Sequence, residues 1–117
     1  MKLIDVKSPS EYLTQDRYFQ KLKAQLSKDF SDSDFDNELA PVKIDTSNDL
    51  PVLVNQFLNQ LFNKSTEQFF QLMYKVDIPD TDIKNQVIAS GIDMHALTEL
   101  VLKRELLKIL LLEKYSS

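Results

Sequence analysis

Leu50, Leu53, Val54, Phe57, Leu58 and Leu61 recur at three- and four-residue steps, and Asn55, Gln56, Asn59, Gln60 and Asn63 fill the places between them. Such spacing puts an apolar stripe on one side of a helix and an uncharged amide face on the other. The pattern predicts a helix from about Leu50 to Asn63, with Asp49 as its cap and Pro51 tolerated in the first turn. The same period marks four further helices. In the first, Ser8 is the N-cap, Pro9 takes the first helical position and Glu11 closes a capping box. It runs to about Lys28, with Tyr12, Phe19, Leu22, Leu26 and Phe30 on one side and Arg17, Lys21 and Lys28 on another. Another opens at Ser65, boxed with Gln68, turns Phe69, Met73 and Val76 inward, and stops near Asp77 because Ile78 precedes Pro79. A short one starts at Asp80-Thr81-Asp82, carries Ile83, Val87 and Ile88, and ends at Ser90-Gly91, where the only glycine suits a left-handed cap. The last runs from Met94 to Lys114 behind Asp93.

Residues 29–49 break the pattern: Asp29, Asp32, Asp34, Asp36 and Glu38 precede Pro41, and Asp45 and Asp49 follow. They read as an acidic, mobile connecting loop with one helical turn around Phe35 to Leu39. The expected fold is all-α, a single domain over 1–117 forming a compact bundle of about five helices with a long apolar C-terminal helix.

That last helix does not keep one face. With Met94 at 0° and steps of about 100°, Met94, Leu97, Leu100 and Val101 share one side, with Glu99 and Lys103 opposite. Further along, Arg104, Glu105 and Lys108 fall on the original apolar side, while Leu106, Leu107, Ile109, Leu110 and Leu111 cover the other and Leu112 returns to the starting direction. A helix whose apolar face swings round must be covered from two directions. A second copy of the chain is the favoured cover, since a two-fold pairing lets one patch bury itself. Leu106, Leu107, Leu110 and Leu111 are then the expected interface, with Arg104, Glu105 and Lys108 as polar contacts beside them. The alternative is a central helix wrapped by the other four, with Tyr115 closing its end.

Composition narrows the chemistry. Among 117 residues there are no Cys, one His and one Gly, and 18 acidic groups face 14 basic ones for a net charge of −4. Without Cys there is no disulfide, thiolate metal site or cysteine nucleophile. One His supplies no imidazole pair, and one Gly supplies no phosphate-cradling loop. The negative balance disfavours nucleic acid and anionic membrane as partners. The longest strongly apolar run, Ile109 to Leu112, is far too short to span a bilayer, and Asp5 interrupts the start before any signal-peptide core. A cytoplasmic location is the expectation.

The remaining candidates each have a plainer explanation. Asp32-Ser33-Asp34-Phe35-Asp36 starts like a calcium loop, but its sixth position is Asn37 rather than Gly and its twelfth is Lys43 rather than Glu. Asp77, Asp80, Asp82 and Asp93 could hold magnesium or do acid–base work, yet Asp is also the ordinary residue of turns and helix starts. His95 is a lone imidazole in a first helical turn, with no nucleophile assigned to it. Glu67 to Val87 has a helix–turn–helix rhythm, but carboxylates at Asp80 and Asp82 would open the reading helix and repel phosphate.

Tyr74-Lys75-Val76-Asp77-Ile78-Pro79, followed some twenty residues on by Arg104-Glu105-Leu106-Leu107-Lys108 in an apolar helix, resembles a group of small uncharacterised bacterial helical proteins. In them a Tyr-x-Val/Ile-Asp-Ile turn precedes a helix with an Arg-Glu-Leu-x-Lys end. The resemblance covers roughly 69–110 and implies an all-helical fold, with no activity attached. Taken together, the sequence points to a non-catalytic interaction module that needs no cofactor or metal. It is expected to be a homodimer with room for a further protein partner; the alternatives are a helix–turn–helix nucleic-acid binder and a small-ligand-binding protein or enzyme.

Overall fold

The computed structural model describes residues 15–88 and 91–115. The Ser8–Glu11 capping box and Tyr12 lie outside the described residues. Among those described, α1 (Asp16–Phe30), α2 (Ser33–Leu39), α3 (Asp49–Lys64), α4 (Thr66–Val76), α5 (Asp80–Lys84) and α6 (Met94–Tyr115) follow in order, with a 3-10 turn at Ile44–Thr46. The fold is an all-α bundle, as the periodicity predicts.

Local chemistry sets most of the boundaries. Ser65 accepts a hydrogen bond from the Gln68 amide at 3.2 Å and Asp93 from the Ala96 amide at 3.1 Å, so both expected caps form. The α3 helix starts at Asp49, which therefore lies in the first turn rather than capping it and offsets the helix dipole there. At the C-terminal ends, Ser31 (φ 48°) and Asp77 (φ 76°) take the left-handed conformation that reverses the chain after α1 and α4.

Two segments depart from expectation. The acidic stretch after α1 is part of the fold: Asp32 caps α2 by accepting from the Phe35 amide at 2.9 Å, and Phe35, Leu39 and Val42 are buried. Phe35 packs with Phe30 and Phe57, ring centroids 4.7 and 5.0 Å away, which ties α2 to α1 and α3. Lys23 then donates to the carbonyls of Ala40 (3.2 Å) and Val42 (2.7 Å), holding the chain as it leaves α2. The second departure follows α5, which ends at Lys84. Val87–Ile88 (β1) pair antiparallel with Gly91–Ile92 (β2). Gly91 (φ 133°) thus lies in β2 instead of capping a helix, and β-branched Val87, Ile88 and Ile92 favour extended backbone.

The α6 helix is the spine of the bundle and packs against α1, α3 and α4. Its buried residues, Met94, Leu97, Thr98, Val101, Leu102, Glu105, Leu106 and Ile109, meet Phe19, Leu22 and Leu26 of α1, Val54 and Leu58 of α3, and Phe69 and Met73 of α4 in one core. The swing in its apolar face is therefore absorbed inside the chain as far as Ile109. Three neighbouring helices approach it from different sides, and no second copy is needed there.

Candidate functional site

Two features share the C-terminal half of α6: a buried charged cluster and, beyond it, an exposed apolar end. The cluster forms where α1 and α4 both terminate against α6. Lys108 Nζ lies 2.8 Å from Asp29 Oδ2 and 3.1 Å from Glu105 Oε1, and donates to the Lys75 carbonyl at 3.2 Å. The last of these places an ammonium where the α4 dipole presents partial negative charge. Gln25 adds a bond to Asp29 at 3.2 Å. Lys75 reaches across to the Ser31 hydroxyl at 3.1 Å and ties the two left-handed ends together. Arg104 turns to the other side and pairs with Asp77.

Burial sets the electrostatics. Glu105 is 0% exposed, and burial first, then the adjacent Asp29 carboxyl, push it up to about 8 against the pull of Lys108. Burial also works to raise Asp29, but hydrogen bonds from Glu105, Lys108 and Gln25 outweigh it and hold that carboxyl below its ordinary value. Lys108 loses some of its charge preference to burial and regains more from Asp29 and Glu105, ending above the usual lysine range. Two facing carboxyls with one ammonium form a unit whose titrations are coupled.

Beyond Ile109 the helix leaves the core. Glu113 pairs with Arg17 at 2.7 Å and with Lys21, fastening this end to the start of α1. The hydrogen bond from Lys21 is the chief cause holding Glu113 below the usual carboxylate range. Leu112 is 64% exposed and Tyr115 56%. With half-buried Leu111 they line a shallow depression floored by Gln25, Lys28 and Lys108. Leu112 also borders a second depression, where Lys21, Ala24 and Lys28 of α1 face Ile109 and Glu113.

The expected interface residues thus divide. Glu105 and Leu106, each 0% exposed, are interior to a single chain and are corrected from interface to core. Arg104 and Lys108 are engaged within the chain, with Asp77 and with Asp29 and Glu105 respectively. Leu107, Leu110 and Leu111 keep part of their surface, Leu107 in a separate hollow with Ile78, Pro79 and Leu100. By helical angle Leu112 returns to the direction of Met94. It is exposed because the part of α1 facing it offers Lys21, Ala24 and Lys28 rather than large apolar side chains. The signal for it was the composition of that α1 face.

The other candidates are dispersed. Asp93 is a cap, Asp80 opens α5 and hydrogen-bonds Tyr74, raising its phenol, and His95 is exposed in the first turn of α6. No group of three His, Cys, Asp or Glu among the described residues is arranged to hold a metal. No helix among them is long and apolar enough to cross a membrane. No protein-family model, curated protein or solved structure matches this chain.

Proposed function

We propose that this protein is a non-catalytic interaction module that self-associates through the exposed end of α6. The observation that carries the reading is Leu112, a leucine 64% exposed in the same last turns as half-buried Leu111 and exposed Tyr115, beyond the buried part of the helix that ends at Ile109. Exposed apolar surface concentrated at one place marks an interaction site more often than scattered single residues do. A second copy fits this surface because it brings the same leucines, and a two-fold axis near Leu112 buries both sets at once. Arg104, Glu105, Leu106 and Lys108 then support the interface from within by fixing the helix that presents it.

Native mass spectrometry tests the reading. The expected mass is twice the 13.6 kDa chain, with Leu112→Asp giving a folded protein at the single mass. A wild-type protein monomeric at tens of micromolar concentration would overturn self-association and assign the surface to a different partner.

A further inference from the structure

We propose that Asp29 and Glu105 share one bound proton in the native protein, and that this proton latches α6 to α1: its loss loosens the helix beyond Glu105. The inference stands whether or not the chain self-associates.

The geometry requires a proton. Glu105 is wholly covered, Asp29 is 7% exposed, and Lys108 Nζ holds both carboxyls at the α1–α6 seam, 2.8 Å from Asp29 and 3.1 Å from Glu105. Lys108, 3.1 Å from Oε1, is the single cation at Glu105, and no other donor among the described residues reaches either of its oxygens. A buried carboxylate so poorly supplied with donors is among the costliest groups a fold can hold. A proton on Glu105 supplies the missing donor, because the O–H can donate to Asp29, whose ionised form also accepts from Lys108 and Gln25. With that proton the cluster is one cation and one anion; without it, two anions share a single ammonium.

The surroundings offer no substitute. Arg104 is engaged by Asp77, and the Lys75 ammonium turns away to the Lys28 carbonyl and the Ser31 hydroxyl. The α3 helix, packed on α6 as well, has no charged residue between Asp49 and Lys64. Deprotonation therefore sets Asp29 of α1 against Glu105 of α6 with only Lys108 between them. Beyond that point Ile109 is the last buried residue of α6, and Glu113 is fastened to α1 by surface ion pairs. The end carrying Leu111 and Leu112 is the part free to respond.

The sign is definite. In the unfolded chain the Glu105 carboxyl titrates near 4.5, and in the folded one at about 8. The folded state holds the extra proton between these values, so its contribution is complete below the lower one and lost as pH rises to the upper one.

The test begins with a carbon-13 carboxyl titration of the folded wild-type protein, which is expected to place Glu105 above pH 6.5. A midpoint near 4.5 would overturn the proposal. Denaturant unfolding at pH 5.5 and 8.5 should then show the wild-type unfolding constant rising with pH, about tenfold for each pH unit between 5.5 and the folded-state midpoint. Glu105→Gln, with an amide that keeps a donor at every pH, should lack that rise. Parallel wild-type and variant profiles would mean a purely structural Glu105 and sink the idea. Should the variant not fold, Asp29→Asn serves instead: removing the neighbouring charge must bring the Glu105 midpoint down. Amide-exchange protection of residues 106–115, corrected for intrinsic rates, should fall in wild type across this range; unchanged protection would overturn the latch.

Discussion

Lys108 is 24% exposed at its side chain and stands between two more deeply buried carboxyls, so its removal affects three groups together. Replacing it with Met keeps the apolar stem and deletes the ammonium. Breaking a buried ion pair from one side costs about 3–5 kcal/mol; partial exposure at Lys108 places the expected loss near the lower end. Lys103, half-buried on the next turn, is the control, and Lys103→Met should change stability by less than about 0.5 kcal/mol. Urea unfolding at pH 7 measures both. The double variant Lys108→Met, Asp29→Asn should lose less than the sum of its parts, because the charge left stranded by the first change is removed by the second. Ser31 poses the opposite case. Its left-handed backbone (φ 48°) is strained for a residue with a Cβ, so Ser31→Gly should stabilise by up to about 1 kcal/mol, offset in part by the lost bonds to Lys28 and Lys75. An unchanged or lower urea midpoint would show those two bonds to outweigh the strain.

At the scale of elements, α2 shows how an acidic stretch can be structural. Its seven residues carry only Phe35 and Leu39 inward, so the helix is anchored by one aromatic contact group and one leucine. Phe35→Ala is expected to cost about 3–5 kcal/mol, and to expose 31–48 to protease before the rest of the chain. Simultaneous cleavage throughout would show that α2 is not a separately released element. The helices α3, α4 and α6 are legible because each carries a local signal: Ser65 with Gln68 at the start of α4, Asp93 ahead of α6, and the leucine period of α3. The α2 helix was only half legible. Its i, i+4 pair Phe35–Leu39 lies inside a run of carboxylates, and counting charge conceals an anchor supplied by Phe30 and Phe57 from other helices. The β1–β2 pair carries its own signal, β-branched Val87, Ile88 and Ile92 around Ser90-Gly91, but Ile83, Val87 and Ile88 also fall at helical spacing, which masks it. The charged cluster had no local signal: Asp29 lies 79 residues from Lys108, and only the tertiary fold reveals that Glu105 faces inward.

For the whole molecule, the proposed self-association turns on the balance between core and surface on α6. Residues up to Ile109 are satisfied within one chain, so the fold does not require a partner to bury its central helix. The most exposed apolar surface of α6, around Leu111, Leu112 and Tyr115, is a small area beside the roughly 800 Å² per partner of a standard stable interface. Self-association through it should therefore be reversible and concentration-dependent rather than obligate. Folding coupled to such a dimer raises the melting temperature as protein concentration increases, by mass action alone. Wild-type protein scanned from about 1 to 100 µM should show this rise. Leu112→Asp should melt at one temperature throughout, close to that of dilute wild type, because the leucine it replaces is exposed in the single chain. A variant that instead melts far below dilute wild type would place Leu112 in an intrachain contact and remove the apolar end as an interface. Salt adds a second discriminator. The Arg17 and Lys21 links to Glu113 are exposed and screened at high ionic strength, whereas burial of leucine is not. The concentration dependence should persist in 0.5 M sodium chloride if leucine contact drives association, and vanish there if charge does.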